Sequence, residues 1–495
     1  MELPVEIYSV DSVRRIDRAA IDDYGIGGYT LMTRAGAAAV DAASARFPDS
    51  KRWQVICGGG NNGGDGYVVA RLAAERGLSV SVLAMTPPEK LIGDAAAAHT
   101  DYATQVGAVA GFAGALDPEA DLLVDGLLGS GLERPLEGAF SNVVEAINAH
   151  RAPVLALDIP SGLHGDSGAV MGIAVLADLT ITFVGLKSGL FLANGADHCG
   201  DIAFADLDIP AQCHVDQTPV LRRIDDRAIA CALPSRRRSA HKGDFGHVLV
   251  IGGGRGMPGA VRLCGEAALR AGAGLVSIAT HPDHSRFLPA SCPELMCHPI
   301  ETSDQLAPLL AKATVIAVGP GLGTDDWASD MLAAVLDSSL SIVADADALN
   351  LIVGSDWLYQ RQYDDIVLTP HPGEAARLLG WTTADVQANR RDALAGIAGK
   401  YGATVVLKGS GTLVSSENDP SWICSAGNSG MASAGMGDVL TGIIAALRAQ
   451  GLSSELSAVA GVQVHARAGD TAAAVGERGM IASDLIAEIR NWVNH

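Results

Sequence analysis

Short apolar runs, each followed by a glycine-rich polar stretch and then by residues with helical spacing, recur along this chain. Residues 8–47 read as helical, with Ile16, Ala19, Ala20, Leu31, Met32 and Ala35 on buried faces. The run from Trp53 to Cys57 predicts a strand, residues 58–66 a glycine loop, and Tyr67 to Arg76 a helix. Further strands are expected at 79–85, 121–125 and 154–157, with a helix around 93–105. The alternation weakens between Asp206 and Pro234, which places a boundary near 215–225 and predicts domains at 1–218 and 226–495. It then resumes, with strands at 247–251, 276–279, 315–318, 342–344, 366–368 and 405–407 and helices between most of them. Strands alternating with helices imply an α/β fold with parallel sheets in both halves, the first a Rossmann-like three-layer domain.

Composition narrows the class. A hydrophobic share of 48% with only 4% aromatic residues describes Ala, Val, Leu and Ile cores, as parallel sheets require. The formal charge of −21 argues against nucleic acid or an anionic membrane as a partner. It leaves room for an anionic small molecule, because backbone amides bind phosphate on an acidic protein. Eight scattered cysteines fit a reduced, cytoplasmic protein rather than a disulfide framework. No signal peptide or membrane span is visible.

The 58 glycines cluster at strand ends, where ligands bind in open α/β sheets. In the first half, Asn61-Asn62-Gly63-Gly64-Asp65 follows one strand, Asp125 to Gly131 another, and Asp158-Ile159-Pro160-Ser161-Gly162 a third. Asp65, Asp125 and Asp158 should converge on one rim. Asparagines in the first loop suit a polar ligand or a hard cation better than a bare phosphate. In the second half, Gly435-Met436-Gly437-Asp438 feeds a helix from Val439 to Leu447. A glycine turn there aims amides and the positive helix end at one point, an anion site. Asp438 stands too close to such an anion to be its ligand, so a role as base is more natural than that of an ordinary first-turn carboxylate.

The three loops of the first half closely resemble the NAD(P)H-hydrate epimerase domain, over roughly residues 8–210. By that resemblance, Asn61, Asn62, Gly63, Gly64 and Asp65, with Gly129, Ser130, Gly131, Leu132, Glu133, Arg134 and Pro135, line the hydrated nicotinamide nucleotide. Asn62, Asp125 and Ser161 hold a potassium ion, and Asp158 performs acid/base work at the ring. Lys187 also resembles a family position, the alternative being a surface lysine. The second half, over roughly 228–493, resembles the ribokinase-like superfamily in its NAD(P)H-hydrate dehydratase branch, so a ribokinase-like α/β domain is expected there. The resemblance places Ala260, Gly321, His371 and Asp438 at the hydrated nucleotide. It places Lys408, Gly409, Ser410, Gly411, Thr412 and Gly437 at ADP or ATP, ADP being favoured, and phosphoryl transfer in general predicts Mg2+ bridging the phosphates. Ser429 and Met436 depart from the family's usual residues.

The joint expectation is repair of hydrated NADH and NADPH by a homo-oligomer: one half interconverts the R and S hydrates, the other dehydrates the S form. The competing readings are a ribokinase-like vitamin kinase fused to a nucleotide-binding module, and an N-terminal half that only binds ligand.

Overall fold

The computed structural model describes residues 3–353, 365–418 and 420–494. It divides into two compact units, Met1–Arg222 and Arg223–His495.

The first unit is built on a parallel seven-stranded sheet. Its spatial order is Ala110–Gly111, Ser79–Ala84, Arg52–Cys57, Leu122–Gly126, Val154–Leu157, Leu179–Phe183, Asp201–Ala205. Alternate side chains of each strand enter different cores, as a pleat with period two requires. Val55, Val124 and Leu155 pack under helices Gly28–Arg46 and Asn61–Glu75, while Ile56, Leu123 and Val154 face Val143, Val144 and Ile147 of helix Ala139–Asn148. These are the three expected layers. The single helical region at 8–47 is in fact a strand, Glu6–Tyr8, and two helices, Val10–Asp22 and Gly28–Arg46. Ser9 caps the first helix, accepting a hydrogen bond from the Ser12 amide at 3.1 Å, and Gly25 (φ 68°) turns the chain between the two. The Asn61–Gly66 loop is likewise the first turn and a half of helix Asn61–Glu75. Small glycines there permit close approach: a Cβ on Gly63 would lie 2.2 Å from the Gly58 carbonyl oxygen. Low helix propensity hid this turn.

In the second unit, seven parallel strands run in the order Met296–Pro299, Leu275–Thr280, His247–Ile251, Val315–Val318, Ser341–Ala344, Ile366–Leu368, Thr404–Leu407. Antiparallel Thr412–Val414 and Trp422–Cys424 extend that sheet. The hairpin strands and the edge strand Met296–Pro299 lie outside the expected set, being short and only partly apolar. Thr412 is consequently the first residue of a strand, and Lys408–Gly411 form a tight hairpin connection. Helix Met436–Ala449 is buried along most of its length and packs on helix Pro258–Arg270. Gly442 allows the contact, since a Cβ there would sit 2.1 Å from the Cys264 carbonyl oxygen. The helix starts before Val439, so Gly437 and Asp438 belong to its first turn.

Candidate active sites

In the first unit, a cavity of about 910 Å³ lies at the C-terminal rim of the sheet. Asn61, Asn62 and Asp65 reach it from one helix, Gly129–Arg134 from a loop, Asp158 and Lys187 from the rim, and Asp17 from helix Val10–Asp22. Two of its walls are strained. Asp158 (φ 67°) and Val184 (φ 68°) each stand at the centre of a three-residue turn closing a sheet strand, through hydrogen bonds from Ile159 to Leu157 (2.8 Å) and from Gly185 to Phe183 (2.7 Å). Positive φ is unusual for Asp and an outlier for β-branched Val, and costs of order 1–3 kcal/mol each. Such strain at adjacent strand ends marks a place where position matters more than stability.

Lys187 is 1% exposed, so it is not a surface lysine. Its strand Leu186–Lys187 pairs with Glu6–Tyr8, and its ammonium donates to Asp158 Oδ1, to Thr182 Oγ1 (3.0 Å) and to the Phe183 carbonyl (2.9 Å). Those acceptors offset the desolvation of a buried cation. Around it the carboxyls outnumber the cation. Burial pushes Asp17 up to about 6, with Lys187 opposing and Asp158 reinforcing the rise. Burial, then the charges of Asp158 and Asp17, lift Asp65 well above the carboxylate range. Asp17 and Asp65 therefore hold their protons more readily than free carboxyls do.

Asp125 does not join Asp65 and Asp158 at the cavity. It lies fully buried, accepting from the Leu127 amide (3.1 Å), the Ser161 amide (2.8 Å) and the Ser161 hydroxyl (2.6 Å), and burial lifts it to about 6 despite those bonds. Asn62 is buried too, and both its carboxamide oxygen and its nitrogen lack a hydrogen-bond partner. A buried unpaired amide is costly, so this carboxamide is free to take a ligand.

In the second unit, Lys408 makes an ion pair with Asp345 (2.6 Å) and approaches Glu374 (3.9 Å). Thr441 also donates to Asp345 (2.9 Å). Burial alone would raise Asp345, yet Lys408 and the hydroxyls of Thr369 and Thr441 hold it below its usual range. Gly437 lies over the pair, so that a Cβ there would be 3.2 Å from the Lys408 ammonium. Beside it, burial and the charge of Asp345 raise Asp438 to about 7, Lys408 opposing. Arg390, 4% exposed, braces the hairpin by donating to the carbonyls of Leu407 (3.1 Å), Lys408 (3.3 Å) and Gly411 (3.2 Å). A carboxyl half-ionised at neutral pH, next to free first-turn amides and a lysine, can deprotonate a hydroxyl beside a bound phosphate.

Residues 248–491 match the family model described as NAD(P)H-hydrate dehydratase, and residues 28–189 the one described as YjeF-related protein N-terminus. The bifunctional NAD(P)H-hydrate repair enzyme Nnr of Coxiella burnetii is 45% identical over 99% of this chain and 99% of its own length. This chain belongs to that family. The Escherichia coli enzyme of the same name is 42% identical, over 100% of this chain and 95% of its own. A ribokinase-like superfamily protein from Enterococcus faecalis, 28% identical, superposes with a TM-score of 0.50 over 55% of this chain and 95% of its own. The α/β architecture, the epimerase and dehydratase halves and the bifunctional activity all follow from membership of the repair-enzyme family.

Within the epimerase half, the cavity collects Asn61, Asn62, Asp65, Gly129–Arg134 and Asp158, but not Gly63, Gly64 or Pro135. Gly63 and Gly64 are spacers: a Cβ on Gly64 would lie 2.5 Å from the Met32 methyl. Pro135 packs by Gly172. Asp17 was missed, although it follows buried Ile16 at the edge of an apolar stripe, where an acid is out of place. In the dehydratase half, Ala260 and Gly321 are neighbours, a Cβ on Gly321 falling 3.1 Å from that of Ala260. His371 caps helix Pro372–Leu379, its Nδ1 accepting from the Gly373 amide at 3.0 Å, and pairs with Glu374 at 3.3 Å. Thr412 turns its hydroxyl to the Gly409 carbonyl (2.8 Å). Asp345 and Glu374, unmarked in the sequence, complete the cluster around Lys408. All eight cysteines are free, and among the described residues no group of His, Cys, Asp and Glu forms a metal cage.

Proposed function

We propose that residues 1–218 interconvert the R and S hydrates with Asp158 as acid/base, and that residues 226–495 dehydrate the S form at a nucleotide's expense with Asp438 as base. The observation that carries this reading is the Asp438 carboxyl, raised to about 7 and flanked by Lys408 and the Gly437 turn. Asp438 takes the proton from the C6 hydroxyl as its oxygen attacks the terminal phosphoryl group of ADP, releasing AMP, or of ATP. The C6–O bond of the resulting ester then breaks with the N1 electron pair, phosphate leaves, and loss of a C5 proton restores the reduced ring. Lys408 and the helix amides hold the phosphates, with the Gly409–Thr412 connection beside the adenosine. Ala260, Gly321 and His371 border the hydrate. Mg2+ would ride on the nucleotide phosphates rather than in a protein cage, and neutralises charge on the transferring group.

In the epimerase half, the unpartnered carboxamide of Asn62 and the buried Asp125 and Ser161 oxygens would hold a potassium ion, which would supply charge neutralisation there. Replacing K+ by choline should slow interconversion about tenfold, and Asn62→Leu should be slow in both salts. An unchanged potassium response in that variant would remove Asn62 from the ion's ligands. A cytoplasmic homo-oligomer acting on small molecules completes the proposal. Among the described residues no helix is long and apolar enough to cross a membrane.

The experiment is Asp158→Ala in the full chain. Interconversion of separated epimers should be lost while dehydration of the S hydrate continues; retained interconversion would sink the role of Asp158. Accumulation of a stable phosphorylated alcohol would instead indicate a kinase.

A further inference from the structure

Opening the hydrate at C6 requires two proton-holding groups, and only one has been named. Interconversion can proceed by breaking the C6–N1 bond. A base takes the C6 hydroxyl proton, the oxygen pair forms an aldehyde, and the bond pair moves to N1, which must receive a proton. Rotation about C5–C6 and closure on the other face reverse both transfers, so each group ends as it began. Loss of water would instead give a cyclic iminium ion that need only lose a C5 proton to become the reduced coenzyme. That route would make a nucleotide-driven dehydratase redundant.

We propose that Asp17 is this second catalytic group, donating a proton to N1 and taking it back while Asp158 serves the C6 oxygen. The inference rests on the epimerase reading of this cavity. Asp17 comes from helix Val10–Asp22 and Asp158 from the sheet rim, and both line the same cavity, so one ring can meet carboxyls from separate walls. Their surroundings differ. Asp158 is ion-paired with Lys187, a cationic partner that suits the role of base. No ion pair of Asp17 is found among the described residues. It faces Asp158, Asp65 and Lys187, with Arg14 on its own helix and Asp94 and Arg134 also on the cavity wall. Burial and the charge of Asp158 raise Asp17 to about 6, so below that pH it holds a proton it can donate. Asp65 is the other protonated carboxyl nearby, but it stands on helix Asn61–Glu75 with the substrate loops.

The test uses the full-length protein with separated R and S hydrates. Asp17→Asn, which keeps shape and removes the proton, should lower kcat for interconversion at least about a hundredfold with KM little changed. Asp17→Glu should recover part of it. In the wild type, kcat/KM should fall as pH rises through about 6, and Asp17→Asn should lack that inflection. In ¹⁸O water the inverted product should keep its C6 oxygen. The N-terminal unit's thermal transition in Asp17→Asn, measured alongside, should be no lower than in the wild type, excluding misfolding. Equal rates in Asp17→Asn and wild type, or an unshifted pH profile, would overturn the role of Asp17 and leave the epimerase intact. Failure of the wild type itself to interconvert the epimers would overturn both.

Discussion

Asp438→Asn should lower nucleotide-dependent dehydration of the S hydrate by about a thousandfold, within the range a lost general base costs. Nucleotide binding should survive, because Lys408, its Asp345 partner and the helix amides are untouched. Thermal stability should be unchanged or higher, since the substitution removes a buried carboxyl that Asp345 and Asp347 disfavour as an anion. The pH dependence has a definite sign. A base must be ionised, so wild-type activity should rise with pH through about 7, and the variant's residual activity should not. Steady-state rates with titration calorimetry of the nucleotide check all of this. A variant within tenfold of wild type would take the base role away from Asp438.

Lys187→Met should disable the other half more broadly. Removing one partner of a buried pair costs roughly 3–5 kcal/mol, which for a unit of this size corresponds to a fall of about ten degrees in melting temperature. Interconversion should drop at least about a hundredfold, because Asp158 would then share its surroundings with Asp17 and Asp65 without a cation. The folded-state pKa values of Asp17 and Asp65, which Lys187 now lowers, would rise further above their unfolded values. Stability lost at neutral pH should therefore return as pH falls towards the unfolded carboxylate range. Calorimetry of the variant at two pH values reads this directly. A melting temperature equal to wild type at neutral pH would mean that Lys187 does not balance the cluster.

The strand frame and the glycine loops were legible because apolar runs and their punctuation are local. The position of Asp438 was legible for the same reason, as a carboxylate following a glycine turn ahead of an apolar helix. Asp17 and Asp345 were not. Each is an unremarkable acid in sequence, and acquires meaning only when a distant segment brings Lys187 or Lys408 beside it. Lys187 shows the limit most clearly: a lysine beside glycines reads as solvent-exposed, and only strand pairing with Glu6–Tyr8 carries it inside. The first turn of helix Asn61–Glu75 was hidden by residues chosen for close approach rather than for helix propensity. Asn62 illustrates the converse, since its place just beyond a strand end was readable but its unsatisfied amide required the packed structure.

The two halves matter together only if a single polypeptide clears both epimers. The decisive measurement follows recovery of the reduced-nicotinamide absorbance from purified R hydrate, with the wild-type chain and either ADP or ATP. Complete recovery that stops when nucleotide is withheld, and that fails in Asp158→Ala while S hydrate is still consumed, is the predicted result. No recovery of reduced coenzyme from either epimer with either nucleotide would contradict it.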